Sequence, residues 1–158
     1  MKQKPLFHVI IASGFGSGFS PFAPGTAGAA LATIIWFLLY LFASPYLLAI
    51  TISLIVIFTI LGIWSTNVLE PVWGEDPSRV VVDEMVGVWI ALLAVSFNDA
   101  SPYYAIAAFA LFRLFDIFKP LGIRQMEKLK GGLGVMMDDI LAGVYSFLIL
   151  LGLRWLIG

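Results

Sequence analysis

Apolar residues fall into six blocks along this chain, at 7–19, 29–42, 46–65, 80–97, 103–118 and 140–157, and the polar residues are gathered between or at the edges of these blocks. A helix needs about 20 predominantly apolar residues to cross a bilayer. The blocks from 29 onward therefore predict about five membrane helices. The first block differs, because Gly14, Gly16 and Gly18 interrupt it. Glycine at alternate positions exposes backbone that lipid cannot satisfy, so a re-entrant or interfacial segment is expected there. The fold class this predicts is all-α, a multi-pass helical membrane protein.

Composition agrees with the pattern. Of 158 residues, 61% are hydrophobic and 12% charged, with a mean hydropathy of +1.00; a soluble domain carries roughly 25% charged residues. The length leaves room for a single membrane-embedded domain, 1–158, and no separate soluble one. Cysteine is absent, which excludes disulfides, thiolate metal sites and cysteine nucleophiles. A net charge of −1 argues against a nucleic-acid partner. Lys2 and Lys4 resemble the start of a signal sequence, but the following block soon reaches Gly and Pro and leads into further apolar blocks, so cleavage is not expected.

The chemistry lies where charge meets the apolar blocks. Asp138 and Asp139 stand at the mouth of the 140–157 block, whose own charge is Arg154 alone. One acid suffices to cap a helix; a second doubles the local charge beside a low-dielectric slab, which favours a cation between them. Asp83 and Glu84 are embedded between apolar residues, where ionisable groups are expensive, although a helix starting at Asp83 with two first-turn acids is an alternative. In FRLFDIFKP, Arg113, Asp116 and Lys119 follow one another at intervals of three, and Pro120 ends the helix. They read either as snorkelling cations with a neutralising acid or as a metal ligand beside phosphate-binding cations. SPFAPGTAG at 20–28 reads as a rigid turn with Thr26 as helix cap, or as an anion cradle built from Ser20, Gly25 and Thr26. His8, the sole histidine, is expected to be packed or interfacial.

Basic residues mark the cytoplasmic side of a membrane protein. With Lys2 and Lys4 inside, the Ser44-Pro45 and 98–102 turns fall outside, and the segments with Arg79 and with Lys119, Arg124, Lys128 and Lys130 fall inside. Arg154 is the exception. This orientation brings the 20–28 turn, Asp83-Glu84, Arg113/Asp116/Lys119 and Asp138-Asp139 to one cytoplasmic boundary. Five acids with cations and hydroxyls there describe a site for a divalent cation and a lipid phosphate.

Four ordered blocks, GFGSGFSPFAPGTAG (14–28), VVDEMVGVWIAL (81–92), FRLFDIFKPLGIR (112–124) and GGLGVMMDDILAG (131–143), carry a resemblance to the phosphatidylglycerophosphatase A family. That family commonly has Trp where Val82 stands and Trp-Pro where Leu121-Gly122 stand; neither change removes a charge. The resemblance implies a Mg2+-dependent lipid phosphatase of phospholipid biosynthesis. It would act in the bacterial inner membrane and convert phosphatidylglycerophosphate to phosphatidylglycerol and inorganic phosphate. It also implies Asp83, Glu84, Asp116, Asp138 and Asp139 as metal ligands, with acid–base or nucleophilic work shared among Asp138, Asp139, Asp116, Glu84 and Lys119. Arg113, Lys119, Ser20, Thr26 and Gly25 are then expected at the substrate phosphate. Two rival readings are another Mg2+-dependent lipid-headgroup phosphotransferase, whose dense acidic motif is missing here, and a small ion or lipid carrier. The carrier would need polar residues at mid-membrane depth, which the 29–42 and 46–65 blocks barely supply.

Overall fold

The structure, a computed structural model, describes residues 5–74, 77–96 and 103–157. Lys2, Lys4, Glu75, Asp76 and the expected 98–102 turn lie outside the described residues. All regular structure among the described residues is helical: α1 (Leu6–Ala12), α2 (Pro24–Phe42), α3 (Leu47–Trp73), α4 (Val82–Leu92), α5 (Tyr103–Phe118), α6 (Ile123–Met126) and α7 (Gly131–Ile157), with short 3-10 turns at Ser17–Phe19, Ser44–Tyr46 and Leu93–Val95.

Among the described residues, three segments are long and apolar enough to span a membrane: Pro24–Phe42, Ser44–Trp73 and Gly131–Ile157. The expectation of about five is corrected to three. The 80–97 block is apolar enough to be expected as a membrane helix, yet α4 has 11 residues, of which all but Glu84 are buried. Its neighbours are α7, α2, α3 and α5, so protein covers it on every side. At 1.5 Å per residue it spans only about 16 Å, roughly half the hydrocarbon thickness. α5, with 16 residues, reaches about 24 Å. α1, at seven residues, is too short to cross and packs on α3, where His8 Nδ1 lies 2.9 Å from Ser65 Oγ and the ring meets Trp64 edge-on.

Helix ends also differ from the sequence pattern. α3 runs on through Pro71 to Trp73 instead of stopping near Ser65, because Ser65, Thr66 and Leu69 are buried against neighbouring helices. α7 begins at Gly131, within GGLG and ahead of the 140–157 block. Those glycines serve close approach: a Cβ on Gly132 would strike the Ile63 carbonyl, and one on Gly134 the Leu129 carbonyl. α4 and α7 cross in the same way. A Cβ on Gly143 would collide with the Gly87 carbonyl, and one on Gly87 with the Phe112 ring and the Asp139 carbonyl. Small residues that let backbones touch are the main packing device where lipid removes the hydrophobic drive between helices.

At the far end of the bundle, Arg154 donates to the Ala94 carbonyl and lies 5.9 Å from the Tyr104 ring centre. The one basic residue that broke the orientation pattern thus caps the end of the α4 segment. Nearby, Trp36 Nε1 donates to Ser96 Oγ at 2.9 Å and Trp89 Nε1 to the Ala32 carbonyl at 3.0 Å. Outward along α2, α3 and α7 stand Phe37, Leu41, Ile52, Ile57, Ile60, Leu148 and Trp155, all exposed, as lipid-facing surfaces require.

Candidate active site

α2, α4 and α7 begin, and α3 and α5 end, at the same end of the bundle. This gathers the charged residues of three sequence blocks, 81–92, 112–124 and 131–143. α4 contributes Asp83 and Glu84 from its first turn. α7 contributes Asp138 and Asp139 from its third turn, seven and eight residues past Gly131. Capping is therefore ruled out for that pair, since the orphan N–H groups they would serve belong to the first turn. α5 contributes Arg113 and Asp116, paired with each other, and Lys119 follows just past its end.

Carboxylate oxygens of Asp83, Asp138 and Asp139 lie within 4.8 Å of one another, and so do those of Glu84, Asp116 and Asp139. Asp139 belongs to both groups and is the most buried acid, at 1% exposure. Lys119 Nζ bridges them, 2.7 Å from Asp138 Oδ2 and 3.4 Å from Asp116 Oδ1, with Glu127 Oε1 at 3.5 Å. Its backbone takes a left-handed conformation, φ 49°, as the chain leaves α5 ahead of Pro120. Such a conformation costs on the order of 1–3 kcal/mol in a non-glycine residue and persists where surrounding contacts impose it; here the imposed contact is the ion pair to α7. Burial acts to lower the Lys119 pKa, but the hydrogen bond and charge of Asp138, with Asp116 and Asp139 behind, outweigh it and hold the ammonium above its ordinary value.

Five carboxylates face two cations, leaving three formal negative charges in a largely buried space. One oxygen each of Asp83, Glu84 and Asp139 is buried with no hydrogen-bond partner among the described residues. Unpaired buried carboxylate oxygens are strongly unfavourable unless a cation compensates them. The donor set, all hard oxygen, fits Mg2+.

The anion-cradle residues divide. Gly25, in the first turn of α2, is pressed against the site: a Cβ there would lie 2.9 Å from Glu84 Oε1 and 3.4 Å from Arg113 Nη1. Thr26 is not the cap expected of it. Ala23, with φ 42°, holds that position without a side-chain bond, because Pro24 starts the helix two residues earlier and puts Thr26 inside the first turn. Ser20 is half-buried, and its hydroxyl donates to the Phe22 carbonyl at 2.8 Å within its own turn.

Sequence reasoning passed over the last two turns of α3. Thr66, Asn67 and Glu70 line a cavity of ≈ 720 Å³ together with Lys128, Lys130 and Asp138. Asn67 Oδ1 accepts from the Gly132 N–H at 2.6 Å, tying α3 to the start of α7. The signal that was available is the polar run itself, Ser65 to Asn67 followed by Glu70, inside a segment otherwise long enough to span.

Membrane-length helices around a buried cluster of carboxylates and cations define the class: an all-helical protein with helices apolar enough to span a membrane and an acidic cluster that could hold a metal ion. The phosphatidylglycerophosphatase A family model matches residues 10–154. Phosphatidylglycerophosphatase A of Escherichia coli is 38% identical over 154 residues, covering 94% of this chain and 86% of that one, and its counterpart from Haemophilus influenzae is 38% identical over 152 residues, covering 92% and 88%. A Bacteroides thetaiotaomicron protein with the provisional name phosphatidylinositol-3-phosphatase is 66% identical over 160 residues, covering all of both chains. No solved structure matches. The chain belongs to the phosphatidylglycerophosphatase A family.

Proposed function

We propose that this chain is a Mg2+-dependent phosphomonoesterase acting on phosphorylated lipid headgroups at the cytoplasmic face of a bacterial inner membrane. The observation that carries the reading is the convergence of Asp83, Glu84, Asp116, Asp138 and Asp139, three of them with an unpartnered buried oxygen, around Lys119 and Arg113. Asp83, Asp138 and Asp139 would hold one ion, and Glu84, Asp116 and Asp139 are a second set able to do so. The chemistry supplied by bound Mg2+ is neutralisation of the phosphoryl oxygens. Arg113 and Lys119 stand where they can clamp the remaining phosphate oxygens, helped by the N-terminal N–H groups of α2 that Gly25 brings close. A carboxylate left outside the metal set, Glu84 or Asp116, accepts the proton of the attacking water.

Family membership favours phosphatidylglycerophosphate as substrate. A second reading, phosphatidylinositol 3-phosphate, is favoured by the printed name of the 66% relative and by the roomy polar cavity beside Asp138. Purified protein in mixed micelles should release inorganic phosphate from one or both lipids, lose that activity to EDTA and regain it with Mg2+. Soluble glycerol phosphate should be a poor substrate, since it lacks the acyl chains that supply binding energy. A carrier would release no phosphate at any metal concentration, and a phosphotransferase would pass the phosphoryl group to an acceptor alcohol without releasing inorganic phosphate.

A further inference from the structure

The cavity between the end of α3 and the start of α7 is distinct from the carboxylate cluster yet shares one wall with it. That wall is Asp138, which also holds Lys119. The opposite wall is α3, where Thr66 is 4% exposed and its hydroxyl has no hydrogen-bond partner among the described residues. A buried hydroxyl facing a cavity without a partner costs roughly 1–3 kcal/mol unless a ligand or water supplies one. Glu70 and Asn67 follow Thr66 around the same rim, and Lys128 and Lys130 stand exposed across from them. Gly131, at φ 68°, keeps the floor open, because a Cβ there would meet Asn67 Oδ1 and approach Glu70 Oε2 at 3.8 Å. The lining combines the donors and acceptors of Thr66, Asn67, Glu70, Lys128 and Lys130 with apolar surface from Leu129 and Val135, and its ≈ 720 Å³ lies within the range of small-molecule pockets. Its polar side, with the unpaired Thr66 hydroxyl at its wall, matches a ligand that carries a hydroxyl beside its phosphate.

Resting on the phosphomonoesterase reading above, we propose that this cavity holds the hydroxyl-bearing headgroup of the lipid whose phosphate lies at Asp138, and that Thr66 and Glu70 select it. Phosphate chemistry and headgroup choice are then carried by different helices, α7 with α4 and α5 for the first, α3 for the second. A buried hydroxyl that pairs with a substrate hydroxyl discriminates strongly against substrates lacking it, since binding them leaves the protein group unpaired.

The test compares kcat/KM for phosphatidylglycerophosphate, phosphatidylinositol 3-phosphate and phosphatidic acid, which has the phosphate but no hydroxylated headgroup. In the wild type at least one of the first two should exceed phosphatidic acid. Thr66→Val and Glu70→Gln should each lower that ratio about tenfold, mainly through KM, while Thr66→Ser keeps it. A drop confined to the glycerol or to the inositol lipid identifies which polyol the cavity takes. Ratios unchanged in both variants, with the thermal unfolding midpoint also unchanged, would overturn the proposal and leave the catalytic reading intact. If the variants do not fold, the wild type decides: glycerol phosphate or inositol 3-phosphate should inhibit about tenfold better than inorganic phosphate, and equal inhibition overturns the proposal. Release of no phosphate from any of the three lipids removes the catalytic reading and this proposal together.

Discussion

α3 and α4 are both rich in Ile, Leu and Val, and by composition alone they look like the same kind of element. α3 has 27 residues, of which only Leu47, Thr51, Gly62, Ser65, Thr66 and Leu69 are buried; α4 has 11 and leaves only Glu84 partly open. The outward apolar face of α3 fits a lipid neighbour, whereas the apolar residues of α4 are covered by protein. Where lipid is the neighbour, side-chain shape matters little. Where four helices are the neighbours, every volume is fixed, and two carboxylates can be held at the helix start at a depth lipid would not permit.

The largest effect that would break this comparison is chemical. Asp139 lies under α4 and belongs to both carboxylate sets, so Asp139→Asn should reduce lipid-phosphate hydrolysis at least about 10²-fold while the protein still inserts and elutes as the wild type does. Retained turnover would reduce the buried end of α4 to ordinary packing. Next comes packing itself: Leu92→Ala, at a fully buried α4 position, should cost about 2–5 kcal/mol in reversible unfolding in micelles. Ile60→Ala on α3, 63% exposed, should stay within about 0.5 kcal/mol. Equal costs would mean that the two helices have the same surroundings after all. A finer contrast uses glycine. Gly87→Ala, whose Cβ meets the Phe112 ring and the α7 backbone, should lower stability by about 1–3 kcal/mol. Gly152→Ala in the lipid-facing part of α7, with open space around it, should be neutral or slightly stabilising because alanine is the better helix former. The smallest signal is topological: a cysteine at Lys128 should be protected from an impermeant thiol reagent in intact cells, and labelling there would reverse the assigned orientation.

The convergence of Asp83, Glu84, Asp116, Lys119, Asp138 and Asp139 was legible because orientation is a global property: once basic segments are placed on one side, the acids of alternate helix ends have to meet. The number of spanning helices was not, because hydropathy reports that Val86 or Leu92 avoids water without saying whether lipid or protein shields it. The apolar pattern starts the last helix near Asp138, whereas Gly132 and Gly134 are already helical and serve contacts with Ile63 and Leu129 that no single-chain pattern displays. The apolar block ends at 65, so the pattern does not carry the helix on to Asn67 and Glu70; α3 continues there, and Asn67 accepts from the Gly132 N–H 65 residues away.

The bond from Arg154 to the Ala94 carbonyl gains meaning from where α7 carries its acids. Arg154 and Asp139 sit on one continuous helix, 15 residues and therefore about 22 Å apart. α7 thus works as a gauge rod with a stop at each end. If it slid by one turn, about 5.4 Å, the Arg154 stop would disengage and Asp139 would leave both carboxylate sets at once. Bilayer thickness varies among membranes and with temperature, and a rod free to slide would let that variation set the distance between ligands. Fastened to α4 at both ends, the spacing is a property of the protein alone, so lipids of different chain length should alter how the bundle sits in the membrane without altering the geometry in which phosphate is held.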